Sequence, residues 1–207
     1  MEVFDLLENN KVIEEGSNRH WISEQWGYHY DKHLNTPLIA SSCLLKEEIS
    51  KRIANNYKNE PVDILFSHNS LNDLLGDPIA TAIQMLHRER KITRYSPKTI
   101  GNNKIEFLNV VIFHDEFDTG NEIRQLIDLV NERMGKIVGI KVILWCDTCP
   151  LDLIPSDYFV KTNGRVWYNN IEVKFLDRFR DKHKYKATDC PCCKQYPPKS
   201  VKPTPWH

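Results

Sequence analysis

The sequence predicts an α/β domain, a parallel sheet flanked by helices, with a small C-terminal extension tied down by cysteines. Three observations carry that expectation. Residues 109–145 read as strand, turn, amphipathic helix and strand. An apolar run over residues 61–66 reads as another core strand. Two Cys-x-x-Cys pairs, Cys146 with Cys149 and Cys190 with Cys193, frame the C-terminal part. At 207 residues the chain is ample for one such core. The division expected is an N-terminal cap or hood (1–38), the α/β core (39–145), a Cys-rich extension (146–196) and a Pro/Lys-rich tail (197–207).

In chain order, residues 2–15 carry Val3, Leu6, Leu7 and Ile13 in an acidic segment, which predicts a helix docked on the body. Residues 21–30 are rich in aromatics, as packing of a cap requires; a hood that stacks on a planar base is the alternative. Ser41 or Ser42 can cap a helix with Leu44, Leu45, Ile49 and Ile53 inward and Lys46, Glu47 and Lys51 outward. Cys43 is placed in the core face of that helix. The exit of the 61–66 strand, residues 67–76, reads as a loop carrying Asp73, and Asp77-Pro78 as a helix start. That helix continues through Ile79, Ile83 and Leu86 to residues 87–91. Arg88, Arg90, Lys91, Arg94 and Lys98 form the densest basic run, either a solvated helix end and strand or a flap over polyphosphate or a nucleic-acid backbone. After a short Gly-Asn-Asn turn at 101–103, residues 110–113 read as a strand buried on both faces. A polar, acidic turn, residues 114–120, leads to a helix with Ile123, Leu126, Ile127, Val130 and Met134 at helical spacing. The strand at 137–145 completes a βαβ unit, hence a parallel sheet. In such sheets ligands sit at the carboxyl ends of the strands, and a helix N-terminus there suits a phosphate.

Charge and composition narrow the classes. Lys plus Arg and Asp plus Glu both count 28, so no net field draws the chain to nucleic acid or membrane. No apolar run approaches the roughly 20 residues of a membrane span, and residues 1–5 lack a signal-peptide pattern. A cytoplasmic, reducing setting follows as the expectation, where six cysteines point to metal more than to disulfides. Cys146, Cys149, Cys190 and Cys193 offer four thiolates at the spacing of a structural Zn2+ site, with Cys192 as substitute for a misassigned member. A disulfide or redox pair, and unliganded thiols, are the alternatives. The segment between the pairs, residues 151–189, is expected to be a loop tied at its base. Arg178, Arg180, Lys182, Lys184 and Lys186 are expected on a solvated helix face.

The stretch His114-Asp115-Glu116-Phe117-Asp118-Thr119-Gly120 resembles the ribose-phosphate signature of the type I phosphoribosyltransferases. Residues 26–37 resemble the opening of orotate phosphoribosyltransferases, Tyr95-Ser-Pro-Lys98 the strand entering their mobile loop, and Asp189-Cys-Pro-Cys-Cys193 the Cys-rich ending of some of them. The resemblance runs over residues 20–198 and is strongest at 105–145 and 188–198. It implies a phosphoribosyltransferase-like sheet and ribose-phosphate binding by His114, Asp115, Asp118, Thr119, Gly120, Asn121 and Glu122. Asp115 would hold the ribose hydroxyls, Thr119, Gly120 and Asn121 the 5-phosphate, and Asp118 the base or incoming group. Asp115 and Asp118 would be catalytic, stabilising an oxocarbenium-like centre, with Mg2+ on the leaving diphosphate. Glu116, Asp118 and Glu122 add three carboxylates to Asp115, which either serve such an ion or exclude phosphates altogether.

Three features depart from the signature. His114 stands where the first of two acids belongs, Glu122 replaces a hydroxyl, and residues 67–76 are poor in glycine where the family has a small pyrophosphate loop. His68 lies in that altered loop and is the next histidine candidate after His114. The first functional expectation is glycosyl transfer or cleavage at C1 of a ribose 5-phosphate compound, phosphoribosyl pyrophosphate (PRPP) or a nucleotide. The alternative is a catalytically degenerate binding or regulatory module that contacts a protein partner or nucleic acid in a larger assembly. Homodimerisation is expected by analogy with the family.

Overall fold

The computed structural model describes residues 2–15, 21–23, 28–87, 91–117, 120–146, 158–180, 184–186 and 189–190. Helix α1 (Val3–Asn9) buries Val3, Phe4, Leu6 and Leu7, and the chain then turns into strand β1 (Ile13–Glu15). The expected single helix over 2–15 is therefore a helix followed by a strand. Strands β2 (Trp21–Ser23) and β3 (Tyr28–Tyr30) pair antiparallel, and β4 (Lys32–Leu34) pairs with β1. Asn35 caps α2 (Thr36–Ser41), and Ser42 caps α3 (Cys43–Asn55) by accepting the Leu45 N–H. The buried stripe of α3 is Leu45, Ile49 and Ile53, spaced by four residues. Cys43 and Leu44 fall off that stripe and are exposed, which corrects their expected inward placement.

Strand β5 (Ile64–Phe66) is buried throughout. Beyond it the chain does not form a loop: α4 (Asn69–Leu71) runs through one wider π-type turn, Asn72–Gly76, into α5 (Asp77–Leu86). Gly76 already has helical angles, so Asp77-Pro78 continues a helix instead of starting one. A proline has no N–H for the preceding turn, and a locally widened turn accommodates that loss. Strand β6 (Thr93–Tyr95) and α6 (Pro97–Ile100) follow, then β7 (Asn109–Phe117), α7 (Asn121–Glu132) and β8 (Lys136–Trp145). The expected βαβ unit is present, with β7 and β8 parallel. Strand β7 runs four residues further than expected, because Glu116 and Phe117 still pair with Leu144 and Trp145. Met134 lies beyond the end of α7 at φ +57 and is exposed, so it is not part of the helical stripe.

The segment between the cysteine pairs also departs from expectation. Residues 158–180 hold β9 (Phe159–Thr162), β10 (Arg165–Tyr168) and β11 (Ile171–Arg178) in place of a loop. Asn163 and Gly164 both have positive φ and form the two-residue turn between β9 and β10. Arg178 closes β11, and β12 (Lys184–Lys186) pairs with β3, so the expected basic helix face is strand; Lys182 lies outside the described residues.

Among the described residues the main sheet has seven strands in the order β6-β5-β7-β8-β11-β10-β9. From β6 to β11 neighbours are parallel, and β10 and β9 add an antiparallel edge. One face carries α1, α3 and α5 around Leu7, Ile49, Leu65, Ile79 and Phe113. The other carries α7 around Ile112, Ile123, Leu126, Ile127 and Trp145. Among the described residues no helix is long and apolar enough to cross a membrane.

Candidate active site

Strand order reverses at β5: β6 lies on one side of it and β7 on the other. The helices after β5 pack on one face of the sheet, while α7, after β7, packs on the opposite face. Such a switch point opens a crevice at the carboxyl ends of the two strands, the usual ligand position in open α/β sheets. His68 leaves β5 there, and His114, Asp115 and Glu116 occupy the end of β7.

Gly120 delivers α7 to this edge. It adopts φ +76, and a Cβ on it would stand 2.8 Å from Phe159 and 3.0 Å from Phe117, so glycine is required on both backbone and steric grounds. As the residue preceding α7 it brings no side chain to occupy the first-turn N–H groups. Asn121 and Glu122 open the helix.

The side chains at the edge form a connected charge cluster. His114 is 5% exposed. Its Nδ1 lies 3.1 Å from Asp115 Oδ1, a close approach of charges more than an aligned hydrogen bond, and its Nε2 lies 3.1 Å from Glu122 Oε2. Burial alone would lower the basicity of His114, but Asp115 and Glu122 together raise its pKa well above the ordinary histidine value. For Asp115 burial works upward, and His114, the Thr36 hydroxyl and the Glu116 N–H together hold its pKa far below the usual carboxylate range. The Thr36 bond is 2.7 Å and the Glu116 N–H bond 3.0 Å. Glu122 is held low chiefly by His114. His68 stands edge-on to His114, ring centroids 5.2 Å apart, and burial followed by the His114 charge pushes its pKa down.

Glu116 faces the N-terminal segment: its Oε1 accepts the Leu34 N–H at 2.6 Å and lies 3.1 Å from His33 Nδ1. His68 also borders a cavity of about 330 Å³ with Pro97, Gln125, Asp128 and Glu132.

Of the sequence-predicted site residues, His114, Asp115, Gly120, Asn121 and Glu122 gather at this edge; Asp118 and Thr119 lie outside the described residues. Cys146 directly follows β8, donates its N–H to Phe117, and is buried, as is Cys190. Cys149, Cys192 and Cys193 lie outside the described residues. Of the basic run, Arg94 pairs with Asp77 at 2.7 Å and donates to the Asn72 carbonyl, while Arg88 and Arg90 lie outside the described residues. Thr36 and the clamp role of Glu116 escaped the sequence reading. A hydroxyl seventy-nine positions from its acceptor has no local signal.

No protein-family model matches the chain. It is 25% identical over 196 residues to an orotate phosphoribosyltransferase of Thermoanaerobacter sp., covering 94% of this chain and 92% of that protein. Among solved structures it resembles Leishmania donovani UMP synthase with a TM-score of 0.59 at 14% identity, over 86% of this chain and 36% of that one, so it spans little more than a third of that protein's length. It also resembles an adenine phosphoribosyl transferase from Trypanosoma brucei in complex with AMP, pyrophosphate and ribose-5-phosphate, with a TM-score of 0.57 at 15% identity over 83% of this chain and 78% of that one. Strand order, switch-point crevice and these likenesses together give the chain the phosphoribosyltransferase fold.

Proposed function

We propose that this protein binds a ribose 5-phosphate compound, PRPP or a nucleotide, in the β5/β7 crevice and transfers or cleaves at its C1. The observation that carries the reading is the start of α7. There a glycine with no side chain opens a helix at the switch point of a phosphoribosyltransferase fold, with an ionised Asp115 beside it. Thr119, Gly120 and Asn121 would take the 5-phosphate, Asp115 the ribose hydroxyls, and Asp118 the base or incoming group. The partly buried negative charge of Asp115 suits a cationic, oxocarbenium-like centre at C1. Ribose hydroxyls would compete there with Thr36 and His114 for the carboxylate oxygens.

Mg2+ would supply charge neutralisation on a leaving diphosphate. It prefers oxygen ligands and retains water, so it would be held largely by the substrate's own oxygens. The two imidazoles at this edge do not suit it. A structural Zn2+ on Cys146, Cys149, Cys190 and Cys193 belongs to the same reading; its support is that Cys146 and Cys190 are both buried and each belongs to a Cys-x-x-Cys pair.

The test is calorimetric titration with PRPP and Mg2+, alongside the isosteric Asp115→Asn. Saturable binding that the substitution weakens supports a sugar-phosphate site. Absence of heat at millimolar ligand, with the circular dichroism of a folded protein, sinks it.

A further inference from the structure

Three side chains from three separate elements meet at the crevice. His68 follows β5, His114 stands on β7, and Glu122 lies in the first turn of α7. One ligand-capable atom from each lies within 4.8 Å of the other two. These are also the positions at which the sequence leaves the phosphoribosyltransferase signature: the missing acid, the missing hydroxyl, and the altered loop. Any one change alone would only impair a phosphate site. Together they assemble a different donor set.

The lone-pair arithmetic is specific. A neutral imidazole has one N–H, yet His114 faces a carboxylate oxygen at 3.1 Å from each ring nitrogen. One nitrogen therefore needs either a second proton, as the metal-free protein holds, or a metal ion in that proton's place. On the Glu122 side a second imidazole is waiting. His68 Nε2 is buried and has no hydrogen-bond partner, the state a ligand nitrogen takes before its ion arrives. On the other side, Asp115 Oδ1 lies 3.1 Å from His114 Nδ1, so a small rotation of the ring would give the carboxylate-behind-histidine arrangement that orients metal-binding imidazoles.

We propose that His68, His114 and Glu122 ligate one divalent transition-metal ion of the Zn2+ type, with Asp115 as the positioning residue behind His114. Two imidazoles and one carboxylate suit such an ion and not Mg2+. Tetrahedral Zn2+ with bonds of about 2.0–2.1 Å spaces its ligand atoms roughly 3.4 Å apart. The His114–Glu122 pair already meets that spacing, and closing the remaining separation takes a movement on the order of 1 Å. Three protein ligands leave one coordination position open, unlike a four-thiolate site, so the ion would accept water or a ligand oxygen. The inference stands on these side chains and does not depend on sugar-phosphate binding.

The experiment is titration of the tag-free, metal-stripped full chain with Co2+ alone, no PRPP present, followed by optical absorption and by proton NMR. A nitrogen/oxygen site gives weak visible bands without the strong sulfur-to-cobalt band that the cysteines would add, so the two sites separate in one spectrum. The expected result is one equivalent of nitrogen/oxygen-bound cobalt with two hyperfine-shifted, solvent-exchangeable imidazole N–H protons, one from each ring. His68→Gln removes one of those signals. Glu122→Gln, at a half-exposed helix position where folding is not at risk, weakens binding by at least about 10-fold. A thiolate-only spectrum, or affinity unchanged in both variants, overturns the proposal and leaves the sugar-phosphate reading to its own titration.

Discussion

Thr36 donates its hydroxyl to Asp115 Oδ2 at 2.7 Å, joining the first turn of α2 to the end of β7. Next to it Glu116 accepts the Leu34 N–H. Two adjacent carboxylates thus hold residues 34–36 against the site. Thr36→Val removes the donor and leaves a partly buried carboxylate short of one bond, an expected loss of about 1 kcal/mol in urea unfolding. Combined with Asp115→Asn the losses should be less than additive. Strict additivity would show that the contact carries no coupling.

Gly139 sits under the Tyr57 ring. A Cβ there would stand 2.5 Å from Tyr57 Cε1 and 2.8 Å from its hydroxyl, and that ring is fully buried. Gly139→Ala is expected to destabilise by about 1–3 kcal/mol through overpacking. Because the Tyr57 hydroxyl is buried without a partner, Tyr57→Phe should be neutral or stabilising. Chemical denaturation of both variants decides; a harmless Gly139→Ala would mean the ring yields.

Lys141 is 1% exposed in the middle of β8. Burial, then the Lys174 charge on the adjoining β11, push its pKa down to about 7 from 10.5, with Glu172 partly opposing. Between those values the unfolded chain binds more protons than the folded one, so this residue makes stability rise with pH, at most about 1.4 kcal/mol per unit. Lys141→Met should therefore be more stable than wild type near neutrality, with an advantage that shrinks toward about pH 10. Thermal melts across that range would refute this if the difference were flat.

Gly120→Ala meets both a left-handed backbone and the Phe117 and Phe159 rings. A loss of more than about 1 kcal/mol is expected, with weakened PRPP binding. Gly101→Ala is the control: φ is +46 but no atom lies within 4 Å of its Cβ position, so it isolates backbone strain. Equal effects in differential scanning calorimetry would remove the ring contact from the account.

The sequence made β7, α7 and β8 legible because an apolar run and a 3.6-residue stripe are strong local signals. It did not reveal β9 to β11. Val173 stands between Glu172 and Lys174, and Trp167, which is not buried, interrupts the alternation of Val166 and Tyr168, so neither strand carries a long apolar run. The Asn163-Gly164 doublet was the available hairpin signal. In the site, His114, Asp115 and Glu122 were each visible as residues. That His68 joins them depends on β5 and β7 being neighbours, a non-local pairing that no window of sequence contains. Cys43 and Leu44 were misplaced because one residue of phase turns a helix side chain by about 100°.

Strand β11 lies between β8 and β10, and α1 packs on it, the Phe4 N–H bonding Asp177 at 2.8 Å. During synthesis β8 is made well before the strand that will cover its outer edge, so its unpaired N–H and C=O groups face the cell until residues 171–178 emerge. Helix α1, made earlier still, waits for the same strand. Folding of this chain is consequently a late, long-range event, slow by contact order and dependent on keeping a half-built sheet from pairing with its neighbours on the polysome.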